Sequence, residues 1–251
     1  AEMVKHKLRG NFAASNVINP AISIAKAART LPDALKAVRY IDEMEGRVRL
    51  DRGFERQRGS MKAVFDTFLQ EISSAKNRKS LDAAYQKASA ALSAVALDKP
   101  ETPLRVGIVG EYYTVMDDFG NHNVEQILGY MGRGVEIHRW MTFTHRNLEY
   151  DEQADLQTIA PYVRYSMGPT TSATLAGAIR YADAGFDGIV HVKSFGCTPE
   201  VDAMAVLQNI SADRGIPILY RSYDSQTGDA GIQTRLEAFY DMIDMKRRKQ
   251  P

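Results

Sequence analysis

Between residues 104 and 246 short apolar runs alternate with helical patterns, and no other feature constrains the fold as much. LRVGIV at 104–109, VEIHRWM at 135–141, GIVHV at 188–192 and IPILY at 216–220 read as strands, short and bounded by Gly, Pro or a change of pattern. Helical patterns follow at 123–131 (closed by Gly132 and Gly134), 170–184 (opened by Gly168 and Pro169), 199–210 and 231–246. Parallel strands need long crossovers, and helices of this length supply them. The pattern predicts an α/β fold: a four-stranded parallel, doubly wound (flavodoxin-like) domain with strand order 2-1-3-4 and right-handed crossovers. Residues 143–169 are expected to be irregular or to hold a short helix.

The first hundred residues lack this alternation. Residues 1–20 show little periodicity. A helix is expected over 21–45, with a break near Thr30-Leu31-Pro32-Asp33 and an end at Gly46. A second spans about 59–76, where Met61, Val64, Phe65, Phe68, Leu69 and Ile72 form one apolar stripe. A third, alanine-rich, covers about 80–96. DKPETP at 98–103 breaks the pattern with two prolines. The organisation read from this is a helical segment over 1–100, folding alone or packed on the sheet, followed by a parallel α/β domain over 101–251.

Composition narrows the function classes. Hydrophobic residues make up 44% and charged residues 25%, a globular mix. No run of 18 apolar residues occurs, and the first residues lack an apolar signal-peptide core, so a cytoplasmic protein with no membrane partner is expected. A single cysteine excludes an intramolecular disulfide and any zinc site built on cysteine pairs. Net charge is +1, divided as about +7 over residues 1–100 and about −6 over 101–251. Two surfaces of opposite charge that meet each other would account for this, as would a basic first half that meets an anionic ligand or partner. Basic residues are interspersed with acidic ones and no recognition motif is present, so no nucleic acid is expected. Walker, nucleophile-elbow, HExxH and GxGxxG signatures are absent.

Chemistry collects at the carboxyl ends of the predicted strands, where open α/β sheets bind ligands. The first loop brings Glu111, one residue beyond a strand and a glycine, and then Asp117-Asp118-Phe119-Gly120-Asn121-His122-Asn123. The second brings Trp140, Thr142 and His145, the third Ser194, Gly196 and Cys197, and the fourth Ser222, Asp224, Ser225 and Gln226. In the third, Thr198 is placed as helix N-cap, Pro199 as first helical residue and Glu200 as a first-turn carboxylate. Cys197 thus precedes a helix N-terminus, a position that favours thiolate. A lone cysteine is also a common small core residue, Glu111 also suits a helix cap or ion pair, and His191 inside a strand reads as a satisfied core group.

The segments VGIVGEYYTVMDDFGNHNVEQIL, HVKSFGCTPEVDAM and PILYRSYDSQTGDAGIQTRLEAFYDMI resemble the C-terminal part of the 2-hydroxyacyl-CoA dehydratase family. The likeness is greatest to its activase-associated, 2-hydroxyglutaryl-CoA dehydratase D-component-like members. It covers about 104–246, and more loosely the helices of 20–76. Such proteins hold an iron–sulfur cluster through cysteines from more than one domain and receive electrons from an ATP-dependent activator, paired or fused. The resemblance implies a [4Fe-4S] cluster in a full-length parent, with Cys197 as a metal ligand. It implies Glu111, Ser194, Gly196, Thr198 and Ser225 as cofactor-binding residues and an acyl-CoA substrate, names no catalytic residue, and leaves room for a homodimer.

The remaining cluster cysteines of the family belong to an N-terminal domain that this sequence lacks. Either the chain is a piece of a longer one or the protein has lost its cluster; the first is the expectation, an inactive fragment carrying no cluster alone, with Cys197 a free thiol at the edge of a cleft near Glu111 and Ser225. The alternative is a non-enzymatic α/β module that binds a small anion or a partner. A third reading, a thiol enzyme pairing Cys197 with His122 or His145, has only the residue types to support it.

Overall fold

The computed structural model of the protein describes residues 20–249, so the reading of residues 1–19 lies outside the described residues. One parallel sheet contains β1 (Leu104–Gly110), β2 (Val135–Arg139), β3 (Gly188–Ser194) and β4 (Ile218–Tyr223), in the order β2-β1-β3-β4. β1 pairs with β2 from Leu104↔Val135 to Ile108↔Arg139, and with β3 from Val106↔Gly188 to Gly110↔Val192. β3 pairs with β4 from Ile189↔Ile218 to Ser194↔Tyr223. This is the α/β architecture and strand order that the alternation predicts. The chain leaves β1 toward one edge of the sheet and leaves β3 toward the other, so the topological switch lies between them.

Side-chain alternation gives each sheet face its own helices. Val106, Ile108, Val190 and Val192 pack under α4 (Tyr112–Met116), α5 (Val124–Gly129) and α9 (Asp229–Arg248), against Val115, Leu128, Ile232, Leu236 and Phe239. Val109 and Ile189 face the other way, against α6 (Glu152–Ile159), α7 (Pro169–Asp183) and α8 (Thr198–Arg214), whose Leu175, Ile179, Leu207 and Ile210 are buried. Each such side chain contributes about 1.5–3 kcal/mol relative to leaving it in water. Gly107 is required by close packing: a Cβ there would fall 2.2 Å from the Tyr181 ring. The stretch 143–169 contains a π-helical turn at His145–Glu149 and the short α6.

Ahead of the sheet lie α1 (Pro20–Asp51), a 3-10 turn (Arg52–Phe54), α2 (Ser60–Ser74) and α3 (Arg78–Ala94). Neither the expected break at 30–33 nor the expected end at Gly46 occurs. α1 runs through Pro32 and Gly46, and its later turns are anchored by Met44 and Val48 in a small core with Met61, Phe68, Ala84, Ala88 and Leu92. Asn77 caps α3 reciprocally with Ser80.

This helical layer is seated on the β2 side of the sheet. Arg49 donates from Nε to Glu125 Oε2 and from its terminal nitrogen to Glu45 Oε2, both at 2.9 Å. Arg139, at the end of β2, donates to Glu125 Oε1 at 3.3 Å and also to Glu45. Gly53 sits against the Gly129 carbonyl, where a Cβ would approach to 2.2 Å. Among the described residues no helix is long and apolar enough to cross a membrane.

Candidate functional site

Gly110 begins the site. Its φ of 138° is open to glycine, and a Cβ would lie 1.9 Å from the Val192 carbonyl oxygen. The close approach lets the Glu111 N–H donate to that same oxygen at 2.9 Å as the chain leaves the sheet. The Glu111 carboxylate then reaches across the switch point. Its Oε2 accepts from the Ser194 N–H at 2.7 Å and from the Thr114 hydroxyl at 2.9 Å. Burial opposes ionisation of Glu111, but the Ser194 and Thr114 donors and the Lys193 charge outweigh it and hold the carboxyl below its ordinary value.

Beyond this clamp opens a cavity of about 970 Å³. Its walls come from the end of β1 and α4, the 117–123 loop, the end of β3, the turn after β4, and the first turns of α9. The 117–123 loop is held by buried Asn121, which donates to the Thr114 carbonyl at 2.9 Å and accepts from the Val124 N–H at 3.2 Å. It carries His122 and Asn123 at φ of 54° and 57°, left-handed values that non-glycine residues adopt at a cost of about 1–3 kcal/mol each. His122 lies nearly parallel to the Tyr223 ring, 5.6 Å between centroids. Asp224 holds the turn after β4, accepting from the Gln226 N–H and the Thr227 hydroxyl at 2.9 Å each. Tyr113 and Phe119 stand 75% and 90% exposed in the lining.

The lining is acidic. Among the described residues it includes Glu111, Asp117 and Asp224 and no lysine or arginine. The nearby cations are engaged behind it. Lys193 Nζ turns to the Ser194 and Phe195 carbonyls, 3.4 Å from each, and buried Arg221 lies over the Tyr223 ring at 5.6 Å.

Of the residues expected at the site, Glu111, Ser194 and Ser225 line the cavity, and Gly196, Cys197 and Thr198 do not. Cys197 is a free, partly exposed thiol three residues past Ser194, to whose carbonyl it donates its N–H at 3.2 Å. Cys197 itself, rather than Thr198, is the N-cap of α8, and Thr198 is its exposed first residue. The expected thiolate preference is not what the surroundings produce. Burial raises the thiol value, and the Glu111 and Glu200 carboxylates add to this, outweighing the Glu200 N–H and Lys193. Glu200, the expected first-turn carboxylate, is fully buried: its Oε2 is 2.8 Å from His191 Nε2, and its Oε1 accepts from Thr174 at 3.1 Å. His191 is the core group expected, but only half satisfied: Nε2 meets Glu200, while Nδ1 is buried without a partner among the described residues, and the pair pins the start of α8 onto the sheet.

The second loop is not part of the cavity. Trp140 packs into the opposite layer, its ring under the Arg180 guanidinium at 4.5 Å and edge-on to His145 at 5.2 Å. Burial pushes His145 below its ordinary value. Sequence reasoning missed Gln126, Ile127, Tyr223, Ile232 and Gln233 of the lining. Their signal is positional only: all stand within a few residues of a loop at the carboxyl edge.

Among the described residues no group of three or more His, Cys, Asp or Glu is placed to hold a metal ion. The donor set offers one thiol, a single corner of an iron–sulfur cluster. No family model and no curated protein matches the chain.

Proposed function

We propose that this chain is the C-terminal part of a cytoplasmic iron–sulfur reductase or dehydratase component that draws electrons from an ATP-dependent activator and acts on an acyl-CoA-type substrate. The carrying observation is the 2.7 Å bond from the Ser194 N–H to Glu111. It joins two of the three segments on which the family resemblance rests and leaves Cys197, a free thiol, at the start of α8 beside them. The chain's own donors do not complete a cluster, so Cys197 is assigned one thiolate bond and the other ligands to another domain or chain. A bound cluster of this kind supplies one-electron transfer. The chain's residues position: Glu111 locks β1 to β3, the His191–Glu200 pair fixes the α8 terminus, and the cavity beside them takes the substrate.

The test is anaerobic iron and sulfide reconstitution of this chain and of the full gene product in parallel, followed in the thiolate–iron absorption bands. Cluster uptake by the full product alone, weakened by Cys197→Ser, is the expected result. Uptake by neither, or full uptake by the serine variant, refutes the reading.

The cavity favours a second reading, a module that binds a small polar ligand without redox chemistry. It keeps the same cleft and predicts that Cys197→Ser leaves ligand binding intact. The anionic ligand that the sequence suggests for such a module is poorly matched to a lining that, among the described residues, holds three carboxylates, one histidine and no lysine or arginine.

A further inference from the structure

We infer that the outer face of α9 is an interface between two copies of this chain, packed antiparallel about a two-fold axis near residues 243–244. This face lies away from the cleft. Phe239 and Ile243, on the inner side of the same turns, pack against Gly188, where β3 begins. The inference is therefore independent of the proposed function and leaves the carboxyl edge open.

The inner side of α9 belongs to the fold, with Ile232, Leu236, Phe239 and Ile243 buried against the sheet. On the outer side an apolar groove of about 480 Å³ is lined by this helix alone: Ala238, Asp241, Met242, Met245, Lys246 and Lys249. Met242 and Met245 are 46% and 56% exposed, and methionine adapts well to a contact surface. Ala238, Met242, Met245 and Lys249 follow at intervals of four, three and four, the seam of a two-helix coiled coil. The charges select the orientation. In an antiparallel pair Met242 of one copy meets Met245 of the other, and the small Ala238 receives the Lys249 stem. Each side of the seam then faces the same side of the second copy. At 3.6 residues per turn Asp241 and Arg248 share one side, so they oppose each other across the axis in two equivalent pairs. Among the described residues Asp241 makes no ion pair, and Arg248 meets only Asp244 of its own helix, with its side chain 75% exposed. Parallel copies would instead stack Lys249 on Lys249 within the seam, and the Lys246 they would offer to Asp241 is turned to the Gly215 carbonyl. About three helical turns make a small interface, so the dimer is weak, with a Kd on the order of 100 μM.

The test is sedimentation equilibrium of the full chain from about 10 μM to about 1 mM, a range that brackets this affinity. A reversible monomer–dimer equilibrium is the expected result. Met242→Glu combined with Met245→Glu weakens it by about tenfold or more, without changing the melting curve, because both positions are exposed. Arg248→Asp weakens it by about two- to fivefold, and adding Asp241→Arg restores it. The charge pair tests the same contact should the methionine variant melt lower. Orientation is read by oxidative cross-linking in a Cys197→Ser background. Mixed Ala238→Cys and Lys249→Cys chains join to each other, whereas Ala238→Cys alone does not, since its two copies lie about 16 Å apart along the axis. A chain that stays monomeric at about 1 mM, a dimer indifferent to both the methionine and the charge changes, or Ala238→Cys joining to itself overturns the inference. None of these outcomes bears on the cluster reconstitution that tests the proposed function.

Discussion

Replacing Glu125 by glutamine tests how the helical layer is joined to the sheet. Glu125 is 3% exposed, receives Arg49 at 2.9 Å and Arg139 at 3.3 Å, and shares both arginines with Glu45. The glutamine keeps the volume and removes the charge. Two nearly buried guanidinium groups are then hydrogen-bonded only to the carboxylate of Glu45, itself 27% exposed, with Asp118 acting on Arg139 through charge alone. Breaking a buried pair by removing one partner costs about 3–5 kcal/mol. Glu45 retains part of the compensation, which puts Glu125→Gln near 3 kcal/mol, or a Tm lower by about 6–12 °C for a chain of this size. The pH dependence supplies an independent check. Burial raises the Glu125 value, but Arg49, Arg139 and Arg52 outweigh it and leave the folded carboxyl below its ordinary value. Such a group contributes stability that is present above its unfolded value and is lost as pH falls through the folded one. Urea unfolding between neutral and acid pH should therefore show the wild type losing stability on acidification, and the variant losing less. A cost under about 1 kcal/mol, or wild-type and variant curves that stay parallel into acid, would refute the claim that this network couples the two layers.

Two further changes address the site. Gly110→Ala should destabilise more than Gly107→Ala. The new methyl at 110 meets the Val192 carbonyl in a backbone conformation glycine favours, whereas at 107 it meets a side chain, the buried Tyr181 ring, with no such backbone constraint. About 1–3 kcal/mol is expected for Gly107→Ala and more for Gly110→Ala, by chemical denaturation; the reverse order would contradict the geometry. Alkylation of Cys197 by iodoacetamide should be slower at neutral pH than that of an unperturbed thiol, accelerate only as pH rises past the ordinary thiol value, and speed up in Glu111→Gln, which removes one of the carboxylates that raise it. Fast reaction at pH 7 in the wild type would show that the α8 terminus outweighs burial and the carboxylates.

The sheet was legible because strands buried on both faces are written as continuous apolar runs. The same rule explains where their ends were misread. β3 continues through Lys193 and Ser194, and β4 through Arg221, Ser222 and Tyr223, all polar or amphipathic residues that end an apolar run without ending a hydrogen-bonded ladder. Those residues extend into the carboxyl edge, so the part of each strand that sequence reading clipped is the part that serves the cleft. α4 was missed because five residues carry too little periodicity to mark a helix.

The charged residues were legible as types and not as pairs. Glu200 reads as a first-turn carboxylate, since most residues of its kind at that place are solvated. Its actual environment depends on His191 nine residues earlier, on a strand facing the helix start, and on Thr174 from a third element. Arg49 and Glu125 are 76 positions apart, and Arg49 stands in a helix whose apolar stripe predicts only the packing of α1 on α2 and α3. Glu111 was singled out for its place beyond a strand and a glycine, and that place is what the structure uses: Gly110 permits the close approach, and the strand end brings the Ser194 N–H within reach. The difference is one of range. A residue whose role is set by its own backbone neighbours can be read from sequence, whereas one whose role is set by a partner across the fold needs the register and layer assignment first. The thiol of Cys197 belongs to the second kind: its local position at a helix start argues for thiolate, and the two carboxylates that argue against it come from the residue just after β1 and from the buried side of α8.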